Sequence, residues 1–352
     1  MAFIEGTPIF TDSGFKNIED IGGRDRVLVR NFLGDAEFIQ PFALKKSQYN
    51  GEILTIGARN WQFSTTPDHK VAYDRSADVS GRDFRYEPAK NLKIDKNNRI
   101  YRQFKYVPPE EFKRETIVIH SEFGRRWVTI SEHDWYVLVG FVLCRGYFDK
   151  AGPRKKALTL YLDKDKREDE VVLLADILDR IGVEWSLIPS FTNDKWMIRV
   201  KTNNTLSDRL ITRLGSSKRK DMYLPDKMVY RGSKTLSKAL IDTMQSLTRK
   251  PDTEGSYRFT TNNDKLIKSL VLLCTVWGFG AMVRVVAAKG TDVGRGELRK
   301  DVLQLEITEV TATYSPKFIK KQNYSGKVYE IDLFDGQVYV KEGKMPVWVN
   351  PK

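Results

Sequence analysis

Cysteine is nearly absent: Cys144 and Cys274 are the only two in 352 residues. So small a supply fits a reducing compartment. Both lie inside apolar runs, where a thiol reads as a small buried side chain rather than a ligand or a disulfide partner. The chain also lacks the apolar stretch of roughly 20 residues that a membrane helix needs, which predicts a protein with no membrane partner. Its first residues, Met1-Ala2-Phe3-Ile4-Glu5, have no basic segment followed by an apolar one, and with the cysteine count this predicts a cytoplasmic location. Disorder is excluded by what is present. Hydrophobic residues make up 41% and aromatics 11%, enough for packed cores, and the length predicts two or three domains.

Positive charge is in excess, with 59 Lys and Arg against 46 Asp and Glu and a formal net charge of +13. Cationic side chains gain affinity for phosphates by releasing counterions, so nucleic acid is the first candidate partner. The charge is clustered in Arg154-Lys155-Lys156, Lys218-Arg219-Lys220, Arg295-Arg299-Lys300 and Lys317-Lys320-Lys321. A solvated face accounts for any one of these. Several in one chain favour a polyanion.

Texture divides the chain. Residues 1–75 alternate short apolar runs with Gly, Asp and Asn turns, as in Thr7-Pro8-Ile9-Phe10-Thr11-Asp12-Ser13-Gly14, and predict an all-β region. A polar, basic stretch with Asn97-Asn98 and Pro108-Pro109 follows. Ser131 then offers a helix start before the apolar run Trp135 to Leu143. From about 131 to 310 the pattern predicts two α/β repeats. Their second helices run from Val171 to Ile181 before Gly182 and from Asp264 to Trp277 before Gly278. Strands follow at Trp196 to Val200 and Met282 to Val286. After Ser315 the strand-and-turn texture returns, so a middle domain inserted into a β domain is expected.

The two ends carry a recognisable set of motifs. Gly6-Thr7-Pro8-Ile9-Phe10-Thr11, then Phe63-Ser64-Thr65-Thr66-Pro67-Asp68-His69, and finally Gly326 to Ile331 through Pro346-Val347-Trp348-Val349-Asn350 resemble, in order, the blocks of Hint domains. That is the fold of inteins and of hedgehog autoprocessing domains. The resemblance implies a Thr and a His, here Thr66 and His69, polarising the peptide bond before the first intein residue. It also implies a terminal Asn, here Asn350, that cyclises. An acyl shift needs a thiol or hydroxyl at that first residue, and the matching position holds Ala2. The usual penultimate His is Val349, the following nucleophile is Pro351, and Gln337 stands where another His is common. Glu330 matches an acidic position, although a solvent-facing strand Glu explains it equally well. As written, the chain is not expected to splice.

In the middle, Leu138-Val139-Gly140-Phe141-Val142-Leu143-Cys144-Arg145-Gly146 resembles the signature helix of LAGLIDADG homing endonucleases. Leu236 to Ser246 resembles its second copy, and Thr260 to Leu266 the opening of the helix after it. Gly140 and Cys144, like Ala239 and Thr243, place small residues four apart, which suits close packing of the two helices and equally a plain buried core. The family needs a carboxylate at the foot of each helix to hold divalent metal over the scissile phosphates. The matching residues are Arg145 and Met244. Asp149, one helical turn beyond Arg145, and Asp242 are candidate substitutes, and Asp242 is turned roughly 200° from Met244. Arg145 suits a phosphate instead. The family's antiparallel saddle reads the major groove with alternate side chains, which nominates Arg199, Lys201, Arg284, Arg299 and Lys300, each of which also serves as a surface charge.

The resulting expectation is an all-β Hint domain, residues 1–120 and 314–352, split by an inserted α/β (α+β) domain. The insert comprises two LAGLIDADG-type repeats, 121–222 and 223–313, related by pseudo-twofold symmetry within a monomer. The function expected is binding of double-stranded DNA, with no resident metal and no cofactor. Two alternatives stay open: a magnesium-dependent site-specific endonuclease using Asp149 and Asp242, and an autoprocessing protein that breaks a peptide bond at Asn350.

Overall fold

A computed structural model describes residues 2–31, 35–58, 61–74, 84–95, 98, 100–101, 105–106, 108, 117–120, 127–150, 156–163, 168–189, 195–200, 205–248, 256–292, 297–309, 313–333, 336–342 and 347–350. Lys201, Pro351 and the Asp149 side chain lie outside the described residues, as do Arg154, Lys155 and Arg295. The fold is mostly β, with six α-helices among the described residues. It separates into two compact units, one built from 1–111 together with 309–352 and the other from 112–308.

The first unit joins the two ends of the chain through a long antiparallel ribbon. Strand Ala43–Ala58 pairs with Phe318–Asp332, from Phe318 opposite Gly57 to Asp332 opposite Ala43. Strand Phe3–Ile4 and strand Trp61–Thr65 complete a closed barrel with these two. Beside it, strands Pro8–Thr11, Val27–Arg30, Asp35–Ile39, Gln337–Val340 and Val347–Val349 belong to one sheet. Ribbon residues beyond the barrel are mostly polar and exposed, whereas Ile53, Leu54, Ile56, Val328, Tyr329 and Ile331 are buried. The core mixes both termini: Phe3, Val29, Ile56, Trp61 and Phe63 pack with Tyr329, Ile331, Val338, Val347 and Val349.

The second unit opens with a hairpin of Ile117–His120 and Trp127–Ile130. Its helices are α1 (Glu132–Arg145), α2 (Glu168–Arg180), α3 (Thr205–Arg213), α4 (Asp226–Arg231), α5 (Lys234–Thr248) and α6 (Asp264–Val276). The hairpin straddles the boundary expected at 120, and its first strand, Ile117–His120, groups with the middle of the chain. Local chemistry sets the helix ends. Ser131 accepts from the Asp134 amide at 3.0 Å at the start of α1, and Asn263 accepts from Leu266 at 3.2 Å at the start of α6. Gly182 and Gly278, at φ of 65° and 75°, turn the chain after α2 and α6 in the left-handed conformation that a side chain would strain.

α1 and α5 pack against each other over small residues. A Cβ on Gly140 would lie 3.0 Å from both Cβ and Cγ2 of Thr243 and 3.3 Å from the Leu240 carbonyl oxygen. Each helix is followed by an antiparallel sheet. After α1 the strands are ordered Gly146–Lys150, Lys156–Asp163, Lys195–Val200, Trp185–Pro189; after α5 they are ordered Ser256–Thr261, Val302–Glu309, Phe279–Ala287. The two sheets thus have four and three strands.

Candidate functional sites

In the first unit, Ala2 is enclosed by the turn that follows strand Trp61–Thr65. The Ala2 amide donates to the Thr66 hydroxyl at 3.3 Å. Its carbonyl accepts from the Thr65 hydroxyl at 3.1 Å and from the Thr66 amide at 3.4 Å. The turn closes with the His69 amide donating to the Thr66 carbonyl at 3.0 Å. It is braced by Lys90, whose ammonium meets Asp68 at 2.6 Å and holds that carboxyl below the usual carboxylate range.

His69 is fully buried, with its ring 5.3 Å from that of Phe3. Burial lowers its pKa to about 3, because a desolvated imidazolium is disfavoured. The Asn350 backbone lies close enough to oppose that shift weakly. The contact does not meet hydrogen-bond geometry, and neither ring nitrogen has a hydrogen-bond partner among the described residues. The Asn350 side-chain oxygen is likewise buried without one. Ala2, Thr66, His69 and Asn350 therefore gather at one place, with buried polar atoms that nothing described satisfies.

Position 2 itself supplies no nucleophile. Ala2 offers a methyl group. Val349 lies in the sheet opposite Val338 with an apolar side chain that is fully buried, and Gln337 takes a hydrogen bond from the Arg30 guanidinium at 3.3 Å. Glu330 is half-buried on the ribbon, opposite Lys45.

In the second unit the last turns of α1 and α5 converge on a cavity of about 670 Å³. Its charged lining is Arg145, Arg219, Lys220 and Arg258, with Gln245 and Gln304 beside them and no carboxylate among the described lining residues. The arginines are tied to helix ends. Arg145 donates to the Leu247 carbonyl of α5, and Arg219 donates to the Cys144 carbonyl of α1 at 3.0 Å. Each helix therefore has a C-terminal carbonyl, where the helix dipole is negative, capped by a cation from another segment. Asn263 fixes the Arg219 segment by donating to the Arg219 and Met222 carbonyls at 3.1 and 2.7 Å.

This lining does not suit a divalent metal, which takes carboxylate or carbonyl oxygens. Among the described residues, no group of three His, Cys, Asp or Glu is placed to hold one. Met244 is buried and does not line the cavity. Asp242 is also absent from the lining and pairs instead with Lys238 at 3.2 Å on the outer side of α5. Cys144 departs from its expected burial. It is half-exposed because the end of α1 reaches the cavity, whereas Cys274 is fully buried and its thiol pKa is raised.

The sheets carry the remaining candidates. Arg199 is exposed on strand Lys195–Val200, opposite Thr159 and Ser186. Arg284 is exposed and bridges to Glu306 at 3.2 Å; Glu306 in turn sits opposite Arg258. Arg299 and Lys300 are exposed in the connection before strand Val302–Glu309. Sequence reading did not single out Arg258, Gln245 or Gln304, and it met Arg219 and Lys220 only as part of a charge cluster.

No protein-family model matches the chain, and no curated protein matches it. Among solved structures it is similar to a splice-inactive variant of the AceL NrdHF class 3 split intein, at 19% identity and a TM-score of 0.26, over 37% of this chain and 71% of that one. It is also similar to the homing endonuclease I-DmoI in complex with DNA and Mn, at 14% identity and a TM-score of 0.37, over 50% of this chain and 90% of that one. A third is the homing endonuclease I-WcaI bound to its DNA recognition sequence, at 9% identity and a TM-score of 0.30, over 51% and 77%.

Proposed function

We propose that this chain is a double-stranded-DNA-binding protein of the intein and homing-endonuclease type, a Hint fold split by two endonuclease-like repeats around a pseudo-twofold, disabled at both reactive centres. The observation that carries the reading is the cavity below α1 and α5. Arg145, Arg219, Lys220 and Arg258 line it where cutting would call for paired carboxylates. Cations at that place favour holding a phosphodiester over hydrolysing it. The net charge of +13 supports the same partner.

At the peptide-bond centre, Thr66 and His69 retain an arrangement around Ala2, but the methyl group of Ala2 cannot accept an acyl group. Cyclisation of Asn350 needs no acyl acceptor at position 2, so intact mass on storage decides it: a stable full-length mass is expected, and loss of the segment after Asn350 would establish the autoprocessing alternative.

Duplex binding measured across a salt series tests the proposal. Log Kd should rise linearly with log salt, in the manner of counterion release. The reading fails if binding is no stronger than that of a scrambled basic control. Incubation with magnesium and the same duplex should leave both strands intact. A double-strand cut that disappears on Asp149→Asn or Asp242→Asn would establish the endonuclease alternative instead.

A further inference from the structure

We infer that the cavity at the foot of α1 and α5 is a phosphate site in which fixed guanidinium groups replace divalent metal, so that it takes phosphate oxyanions directly and gains nothing from magnesium. The inference rests on the DNA-binding reading for its biological ligand, but its chemistry stands on the lining itself. Two helix C-termini meet there, each carrying a partial negative charge of about half an electron. Bare, such a place attracts cations. Here the Arg145 guanidinium is fixed to the end of α5 and the Arg219 guanidinium to the end of α1.

The cation carried by α1 caps α5, whereas α1 is capped from the segment that precedes α4. Lys220 and Arg258 add two further positive charges. The described lining therefore holds four cationic side chains and no carboxylate, against roughly one unit of helix-end charge. Glu306, opposite Arg258 on the adjoining sheet, is bridged to Arg284 at 3.2 Å. Arg219, exposed and with one N–H on the Cys144 carbonyl, presents its other donors, and planar donors of this kind match phosphate oxygens. Gln245 and Gln304 supply neutral polar groups at the wall. A volume of about 670 Å³ has room for more than one phosphate.

Inorganic pyrophosphate is a suitable probe, because it reports on the cavity whether or not duplex DNA binds. In EDTA, isothermal titration of the full chain should show pyrophosphate binding. Lys220→Gln and Arg219→Gln should each weaken it by roughly tenfold, the effect of one lost charge-assisted contact. Lys220 is exposed, so its variant keeps the test meaningful even if loss of Arg219 disturbs the end of α1. A manganese titration followed by water-proton relaxation should reveal no tight cation site, and magnesium should not strengthen duplex binding at constant ionic strength. Pyrophosphate binding that is absent, or unchanged in the Lys220→Gln variant, overturns the inference, as does a tight manganese site that raises duplex affinity. Pyrophosphate binding without duplex binding would uphold the anion site and defeat the DNA reading.

Discussion

His69 is held as a neutral imidazole, and the pH dependence of stability should expose it. Its folded-state pKa is about 3 because of burial, while an unfolded histidine titrates near 6.5. Between those values the unfolded chain binds a proton that the folded chain does not. The stabilising contribution is complete above pH 6.5 and is lost as the pH falls toward 3. His69→Phe should therefore lose less stability than the parent between pH 7 and pH 4, by roughly a few kcal/mol in denaturant titrations. Parallel curves for the two proteins would show that folding does not lower the pKa of this histidine. At this scale the sequence was legible where a motif is contiguous: Thr66 and His69 share one turn, and their gathering with Ala2 and Asn350 followed from block order. At the cavity only Arg145 was legible, from the signature helix; Arg219, Gln245 and Arg258 come from three other segments and no spacing rule connects them.

The helix pair is set by close approach. At Gly140, an alanine gains up to about 1 kcal/mol of helix propensity, yet its methyl would meet Thr243 at 3.0 Å. Thr243 cannot easily turn away, since its hydroxyl donates to the Ala239 carbonyl at 2.8 Å. Gly140→Ala is expected to cost about 1 to 2 kcal/mol net, seen as a lower Tm, and adding Thr243→Ala should recover only part of it, because the Thr243 Cβ at 3.0 Å remains. A more stable single variant would mean that the two helices are not pressed together at that point. Helix ends were readable in the sequence because Ser131, Asn263, Gly182 and Gly278 act on their own neighbours. Strand Trp185–Pro189 was not distinguished: its burial alternates only weakly, leaving little periodicity to read. Nor did composition reveal that the two sheets differ by a strand.

Residues 112–308 form a compact unit contiguous in sequence, and the cavity and the candidate sheet contacts all fall within it. Expressed alone, this segment should fold and retain duplex affinity within about tenfold of the full chain, an interval of roughly 1.4 kcal/mol. Complete loss of binding by a folded segment would assign DNA contacts to the outer unit. The nested arrangement of a β region around a middle domain was readable from texture, whereas the barrel was not, because its pairing partners lie at opposite ends of the chain. That pairing also imposes an order on synthesis. Strand Ala43–Ala58 leaves the ribosome before its 15-residue partner, Phe318–Asp332, which follows only after the whole middle unit. In the interval its edge is an open template of the kind that recruits neighbouring chains. The polar, lysine-bearing stretch from Lys45 to Gln48 then acts as a guard on the nascent chain, keeping the waiting strand hydrated until the far end arrives.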